Sequence, residues 1–540
     1  MNDALHRIQM QILWDRLLAI VEEQAQVLVR TAFSTTVREA GDLSAGVFDE
    51  AGQMLAQAVT GTPGHVNAMA ASVGFFLERY PLNQLNPGDV LVTNDPWHGT
   101  GHLNDFTVVT PVFKADRVVA LFAATSHLAD VGGLGFGPDG RQVFEEGINF
   151  PIGYLFREGK RNDTLFEILR ANVRDPRSAE GDLYSLTACN QAGADRLLHT
   201  LDEFHLDDLS AVGQMIIDNS RDAMLAEIRK LPHGTWHNSM WVDGYDEAIE
   251  LKCALTIAGD GISVDWQGTS AMIGRGINVP LTYAQAYTSF GVRCVIGNDV
   301  PNNAGSLSVV RVTAPAGCIL NATRPAAVSA RHAIGQMLPD VVLGCLDEPL
   351  DGQVPTEGAA CLFGPVFLGG RQLIPGSQGE PFVMNAFYTG GTGARPTKDG
   401  LSCTAFPSGV RSTPVEITEN AAPLIIWRKE FRANSGGNGE FRGGHGQIME
   451  FAHAEGEAFA VSKMFDRINH APRGRHGGEN GAAARVYLKE GGTLKGMGRE
   501  TIPAGQTMVL ETAGGGGRGD ASDRDAELIA QDLRDGLHMT

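Results

Sequence analysis

Seven cysteines in 540 residues, none of them in a C-x-x-C pair, leave no material for a disulfide framework or a thiolate zinc site. They read as free thiols of a reducing cytoplasm. No apolar run reaches the ~18 residues that a membrane-spanning helix needs. The N-terminus has no basic segment followed by an apolar core and a small-residue cleavage site, so no secretory leader is expected. Positive charge is scarce: 43 Lys and Arg stand against 63 Asp and Glu, a formal net charge of −20. Nucleic-acid affinity rests on neutralising phosphates, so that balance excludes a nucleic-acid partner and disfavours an anionic membrane surface. No glycine cluster fits G-x-x-x-x-G-K-[ST] or the strand-linked dinucleotide fingerprint, so no nucleotide site is expected in this chain. What remains is a globular protein (43% hydrophobic residues, mean hydropathy −0.09) long enough for two or three domains or one large composite one.

The informative stretch is Gly99–Gly133. The tetrapeptide His-Leu-x-Asp occurs twice, at His102–Asp105 and at His127–Asp130. Two apolar, β-branched runs, Phe106–Phe113 and Val118–Thr125, lie between the copies, separated by the polar Lys114-Ala115-Asp116-Arg117. This pattern predicts an antiparallel hairpin. A hairpin sets the start of its first strand beside the end of its second, so His102 and Asp105 are expected to meet His127 and Asp130. Two imidazoles and two carboxylates at one point suit a divalent metal such as Zn²⁺, Mn²⁺ or Fe²⁺, with nitrogen and hard oxygen donors and no sulfur. The ordinary alternative is that each His and Asp caps a strand end and bonds its neighbour.

Asn94-Asp95-Pro96-Trp97-His98-Gly99, then Gly101-His102-Leu103-Asn104-Asp105 and His127-Leu128-Ala129-Asp130-Val131-Gly132-Gly133, resemble the hydantoinase B/oxoprolinase family. The resemblance extends from the first helix to the Gly-rich tail. It implies a subunit that opens cyclic amides (hydantoins, 5-oxoproline, lactams) in an ATP-dependent hetero-oligomer. A hydantoinase A/oxoprolinase-type partner binds ATP and phosphorylates the ring carbonyl, while the present type of subunit holds one divalent metal. The pattern Arg38-Glu39-x-x-Asp42-x-Ser44 matches the family too. Spacing alone makes Asp42 a turn residue; the resemblance makes it a metal ligand with His102, Asp105 and His127. Asp130, Asp95 and His98 are further possible ligands. Asp130, Asp95 and Glu146 are candidates for the general base, Glu146 lying in Glu145–Pro151, which also matches the family. Asn172-Val173-Arg174 and Gly181-Asp182 match positions that line the cleft.

Along the chain, residues 4–38 have the periodicity of one long amphipathic helix. Val47–Val59 reads as a small hairpin, and Thr62-Pro63-Gly64-His65 as a loop whose histidine either lines the pocket or merely sits there. Residues 67–80, 163–172 and 182–229 read as helical. Pro232 and Gly234 mark a boundary, after which alternation predicts strands at 239–242, 249–257 and 262–266, with helices near 281–296 and 332–344. Arg331 and His332 open the second of these helices, where they can hold an anion or simply cap at the surface. The glycine clusters at 390–393, 435–444 and 514–517 read as tight turns, the alternative being oxyanion cradles. Asn434 stands where the family has Asp, which puts an anionic role there in doubt. Residues 524–537 read as a charged amphipathic helix.

The expected fold is α+β and multi-layered, with an N-terminal metal-binding α/β region and a β-rich, Gly-rich C-terminal half. The expected domains are 1–234, 235–415 and 416–540. The expected activity is metal-dependent opening of a cyclic amide activated by the ATP-binding partner. A subunit of an acetone or acetophenone carboxylase, and a non-catalytic scaffold for that partner, are the alternatives.

Overall fold

The computed structural model describes residues 2–60, 62–371, 373–375 and 377–538, with side chains from position 8 onward. Its N-terminal region is built on the hairpin. Strands β1 (Leu43–Phe48), β2 (Met54–Gln57), β3 (Val90–Thr93), β4 (Asp105–Lys114), β5 (Arg117–His127), β6 (Gly153–Arg157) and β7 (Lys160–Arg161) form one sheet in the order β2-β1-β5-β4-β3-β6-β7. The strands read as unbroken apolar runs because both faces are covered. Phe106, Val108, Phe122 and Ala124 pack with Leu13, Leu17, Leu28, Leu183 and Leu197. Val109, Leu121 and Ala123 turn to the other face and pack with Val66, Met69, Val73 and Phe76.

The turn pairs Lys114 with Arg117, a register that would set Asp105 opposite Ser126. A bulge between Val112 and Phe113 shifts the ladder by one residue and places Asp105 opposite His127 instead. A one-residue slip turns a side chain to the opposite face, so this bulge decides whether the two residues meet. Leu43 pairs with Ser126 across β1 and β5, which brings Asp42 beside His127.

Three helical expectations need correction, and in one of them the stretch read at 182–229 is two helices, Pro176–Glu203 and Ser210–Ile228. The first helix is Asn2–Thr31, not 4–38. Asp182 accepts the main-chain N–H groups of Phe33 (2.7 Å) and Ser34 (3.2 Å), which a continuing helix would use itself, and Ser34 then caps a separate turn, Thr35–Arg38. The expected helix at 332–344 is two, His332–Gly335 and Leu338–Leu346, with Pro339 in the first turn of the second.

Beyond Gly234, β8 (Gly234–Val242), β9 (Ile249–Ala258), β10 (Gly261–Asp265) and β11 (Val310–Thr313) form a second sheet. Strands β12 (Val366–Gly369), β13 (Phe382–Asn385), β14 (Leu424–Phe431), β15 (Gln447–His453), β16 (Phe459–Met464), β17 (Arg485–Leu488), β18 (Met497–Ile502) and β19 (Met508–Glu511) form two more, ordered β13-β12-β16-β18 and β14-β15-β19-β17. The first of these two draws strands from both sides of residue 415, and Phe363 and Phe367 share a core with Phe451 and Phe459.

The glycine clusters are not turns. None of the glycines in 390–393, 435–444 and 514–517 has a positive φ. They run side by side with their N–H groups spent on neighbouring carbonyls: Gly391 N to Ala513 O, Gly444 N to Thr392 O, Gly515 N to Gly444 O and Gly437 N to Gly515 O, each 2.9 Å. Those donors are therefore not free to cradle an anion. Glycine is required because the chains lie too close for a side chain: a Cβ on Gly391 would fall 1.8 Å from the Gly444 carbonyl oxygen.

Candidate metal centre

Three segments converge at the open end of the hairpin. The first residue of β4 supplies Asp105, the last of β5 supplies His127, and the loop before β4 supplies His102. The loops are pinned together, since Leu128 N donates to Asn104 O (2.8 Å) and Asn104 Nδ2 donates to Leu128 O (2.9 Å). A donor atom from each of His102, Asp105 and His127 lies within 4.8 Å of the other two, and all three residues are buried. Asp105 is the hub. Its Oδ1 lies 2.6 Å from His102 Nε2 and 3.2 Å from His127 Nδ1, while its Oδ2 meets His65 Nε2 (2.8 Å), Thr100 Oγ1 (2.6 Å) and Arg331 Nη2 (2.5 Å). Burial opposes its charge, but His102, His65 and Arg331 together hold the carboxyl well below its usual range.

Of the two readings of His65, loop or pocket, the structure has the pocket. Pro63 starts the helix Pro63–Arg79, and His65 in its first turn reaches Asp105 on one side and Asp42 Oδ1 (3.4 Å from Nδ1) on the other. Burial works against its protonation, yet Asp105 and Asp42 hold it above its ordinary value. Gly64 is needed beside it, because a Cβ there would strike the rings of Tyr287 (2.4 Å) and Tyr283 (2.7 Å). Arg331 is not a surface cap. It is buried, stacked 4.1 Å over Tyr283, and donates to Thr100 O (2.8 Å) as well as to Asp105. His332 is buried too, and burial with the Arg331 cation beside it pushes its pKa well below the ordinary value. Distance along the chain hid both residues.

The donor set fits a divalent cation. His102 Nδ1 lies 2.8 Å from the Ser329 carbonyl and 3.2 Å from Arg331 Nη1, while its Nε2 faces Asp105. Burial, with Arg331 nearby, pushes the His102 pKa down to about 3, so the ring is neutral at pH 7. Its Nε2 lies 2.6 Å from a carboxylate oxygen, a spacing that places either a proton or a cation between the two. Around it, His127 Nε2 and His332 Nε2 are buried without hydrogen-bond partners, and Asp42 Oδ1 and His65 Nδ1, an ion pair 3.4 Å apart, make no hydrogen bond either. Buried polar atoms seldom go unpaired. These four residues, with His102 and Arg331, line one cavity of about 30 Å³, closed by apolar Phe136, Leu362, Phe387 and Val410. Phe136 sets its ring against His102, His127 and His332, at 5.6, 4.9 and 5.5 Å between centroids.

The three expected general-base candidates do not line this cavity. Asp130 turns to Arg174, bonding its main-chain N–H and its Nη1 (2.5 Å), and also accepts Gly132 N (3.1 Å). The expectation that Asp130 joins the hairpin cluster is thus corrected. It lies three residues past the end of β5, in a turn that Arg174 holds. Asp95 is paired with Arg324 and accepts Trp97 N (2.9 Å), and the side chain of its neighbour His98 is 47% exposed. Glu146 is buried under the far side of the cluster, where its Oε1 accepts Val328 N and Ser329 N, each 2.8 Å. Burial outweighs those donors and raises its pKa to about 8. By holding Ser329, Glu146 fixes the carbonyl that His102 Nδ1 faces, a supporting role of the kind that orients metal-binding imidazoles. Asp182, expected in the cleft, is committed to the Phe33–Ser34 turn.

Residues 6–521 match the family model for hydantoinase B/oxoprolinase. The chain is 30% identical over 546 residues to 5-oxoprolinase 1 of Arabidopsis thaliana, covering 95% of this chain and 42% of that protein. It is 26% identical to the putative B-type subunit of a D-/L-hydantoinase from a Pseudomonas species (strain NS671), covering 98% and 93% of the two chains. Its fold matches the crystal structure of an ATP-dependent caprolactamase from Pseudomonas jessenii with a TM-score of 0.88 and 22% identity, over 99% of this chain and 94% of that one. No described helix is long and apolar enough to cross a membrane.

Proposed function

The chain belongs to the hydantoinase B/oxoprolinase family, and on that premise we propose that it is the metal-dependent subunit of an ATP-dependent cyclic-amide hydrolase. The observation that carries the reading is the buried His102–Asp105–His127 group with unpartnered donor atoms around it. His102, Asp105 and His127, with Asp42 beside them, are the proposed ligands of one Zn²⁺ or Mn²⁺ ion. Such an ion, when bound, supplies Lewis-acid polarisation and lowers the pKa of a coordinated water.

The chain's own residues prepare the site. Arg331, Thr100 and His65 keep Asp105 charged and fixed, since three donors on Oδ2 leave Oδ1 to face the imidazoles. Ser329 fixes His102 with Nε2 inward. Phe136, Leu362, Phe387 and Val410 exclude bulk water, which strengthens electrostatic interactions inside. Amide resonance makes a ring carbonyl a poor electrophile. Phosphorylation of its oxygen removes that resonance, and this chain has no Walker-type motif with which to do it. We assign that step to a hydantoinase A-type ATP-binding partner in a cytoplasmic hetero-oligomer. One relative is itself named as a subunit of a hydantoinase, which supports this division. So does the greater length of another, of which this chain spans less than half.

The test is the complex purified after co-expression with the ATP-binding partner, supplied in turn with hydantoin, 5-oxoproline and a lactam. Ring-opened product and ADP in step, for at least one of them, are expected. Consumption of a ketone that requires bicarbonate, with no cyclic amide opened, would replace this reading with the carboxylase one.

A further inference from the structure

His332 and Gln336 stand one helical turn apart. Gln336 N donates to His332 O (3.1 Å), so the two side chains share a face. Both line the small cavity at the candidate metal centre, and both are buried, at 5% and 3% exposure. The protein uses neither head group. His332 Nε2 is buried without a hydrogen-bond partner, and among the described residues the Gln336 amide makes no hydrogen bond. The other polar side chains on this cavity are spoken for. His102 and His127 face Asp105, and His65 lies between Asp105 and Asp42. Arg331 donates to Asp105 and Thr100 O, and the Tyr283 and Tyr287 hydroxyls interact with each other. Thr62 Oγ1 donates to Leu43 O (3.0 Å), and Ser408 Oγ accepts Val410 N (3.3 Å).

The size of the cavity limits what can pair with them. Its volume of about 30 Å³ gives room for about two groups of water size, and none for a ring. One place belongs to the cation proposed for His102, Asp105 and His127. The other stands against His332 and Gln336. A buried water requires about two to four polar partners. An amide offers both a donor and an acceptor, so with the imidazole it serves a water whichever ring nitrogen carries the proton. Phe136, Leu362, Phe387 and Val410 complete the wall and have no side-chain polar atom to draw the water elsewhere. Resting on the function proposed above, we infer that His332 and Gln336 bind the water molecule that opens the ring. The O-phosphorylated ring carries a C=N bond and stands at the mouth of the cavity. The water oxygen bonds to that carbon, the ring C–N bond breaks, and both water protons end on the ring nitrogen. An amine and an acyl phosphate result, and a second water hydrolyses the latter to carboxylate and phosphate.

The experiment compares the metal-loaded wild-type complex with His332→Ala, Gln336→Ala and the double variant. It measures bound metal and the kinetics of cyclic-amide opening, and a high-resolution crystal structure of the wild type shows the solvent in the cavity. An ordered water within hydrogen-bond distance of both His332 Nε2 and the Gln336 amide is expected. Each single variant should keep its metal, which also reports a folded site, and its KM for the cyclic amide, while kcat falls about 10–100-fold. Because the two side chains hold one water, the double variant should lose little more than the worse single variant. Wild-type kcat in either single variant, or a wild-type cavity with no water between the two residues, would overturn the assignment. So would loss of metal, which makes the pair part of the ligand set, or a raised KM with kcat unchanged, which places the ring there. A wild-type complex that opens no cyclic amide contradicts the proposed function and this assignment with it. An active wild type with an equally active His332→Ala contradicts this assignment alone.

Discussion

Asp105→Ala is expected to yield protein with little or no bound divalent metal and a fold weakened by about 3–5 kcal/mol. The reason is the number of groups that depend on this one carboxylate. Five side chains, those of His102, His127, His65, Thr100 and Arg331, lie within 3.2 Å of its two oxygens, and it is fully buried. Removing it leaves the Arg331 guanidinium charged, 3% exposed and without its carboxylate. Removing one partner of a buried pair costs far more than the pair contributes, because the remaining charge is uncompensated. Urea unfolding and elemental analysis on the same preparation read both effects. A variant with wild-type stability and wild-type metal content would contradict the hub role.

Gly391→Ala is expected to prevent folding of the C-terminal region. The added Cβ would lie 1.8 Å from the Gly444 carbonyl oxygen, 2.3 Å from its carbon and 2.8 Å from Gly515 N. These are main-chain atoms of adjacent extended segments, so no side chain can swing aside. Overpacking a core by a methyl group typically costs about 1–3 kcal/mol when neighbours can shift. Here a shift would also break Gly444 N to Thr392 O and Gly515 N to Gly444 O, so the cost exceeds that range. Soluble yield and a circular-dichroism melt check it, and an unchanged melting temperature would show that the segments do not pack this closely.

The hairpin is legible in the sequence because its two apolar runs and polar break admit little else. The meeting of Asp105 with His127 follows from the same pattern, yet it depends on the bulge at Val112–Phe113, which no turn residue announces. The repeated His-Leu-x-Asp motif misleads over Asp130. Two copies with one spacing read as equivalent, but a hairpin mirrors them. Asp105 and His127 end paired strands, whereas His102 precedes one strand and Asp130 follows the other. His102 is drawn back by Ser329, and Asp130 is drawn away by Arg174. Thr62-Pro63-Gly64 resembles a loop by composition, but Pro63 is a first-turn proline of a helix, and only the packing of Tyr283 and Tyr287 explains Gly64. Arg331 and Ser329 complete a site more than 200 positions upstream, a juxtaposition that local pattern does not encode. The glycine clusters read wrongly as turns because glycine marks both sharp turns and close approach, and only the φ angles separate the two.

The most direct test of the centre is elemental analysis of the wild-type protein and of His127→Ala, both purified without added metal. His127 suits this better than Asp105, since its Nε2 has no partner and its Nδ1 makes one contact of 3.2 Å, so the variant should fold. About one equivalent of Zn or Mn in the wild type, lost in His127→Ala, is the predicted result, as expected for a site of three or four protein ligands deprived of one. Wild-type protein without metal, or His127→Ala that retains it in full, would contradict a metal centre at the hairpin.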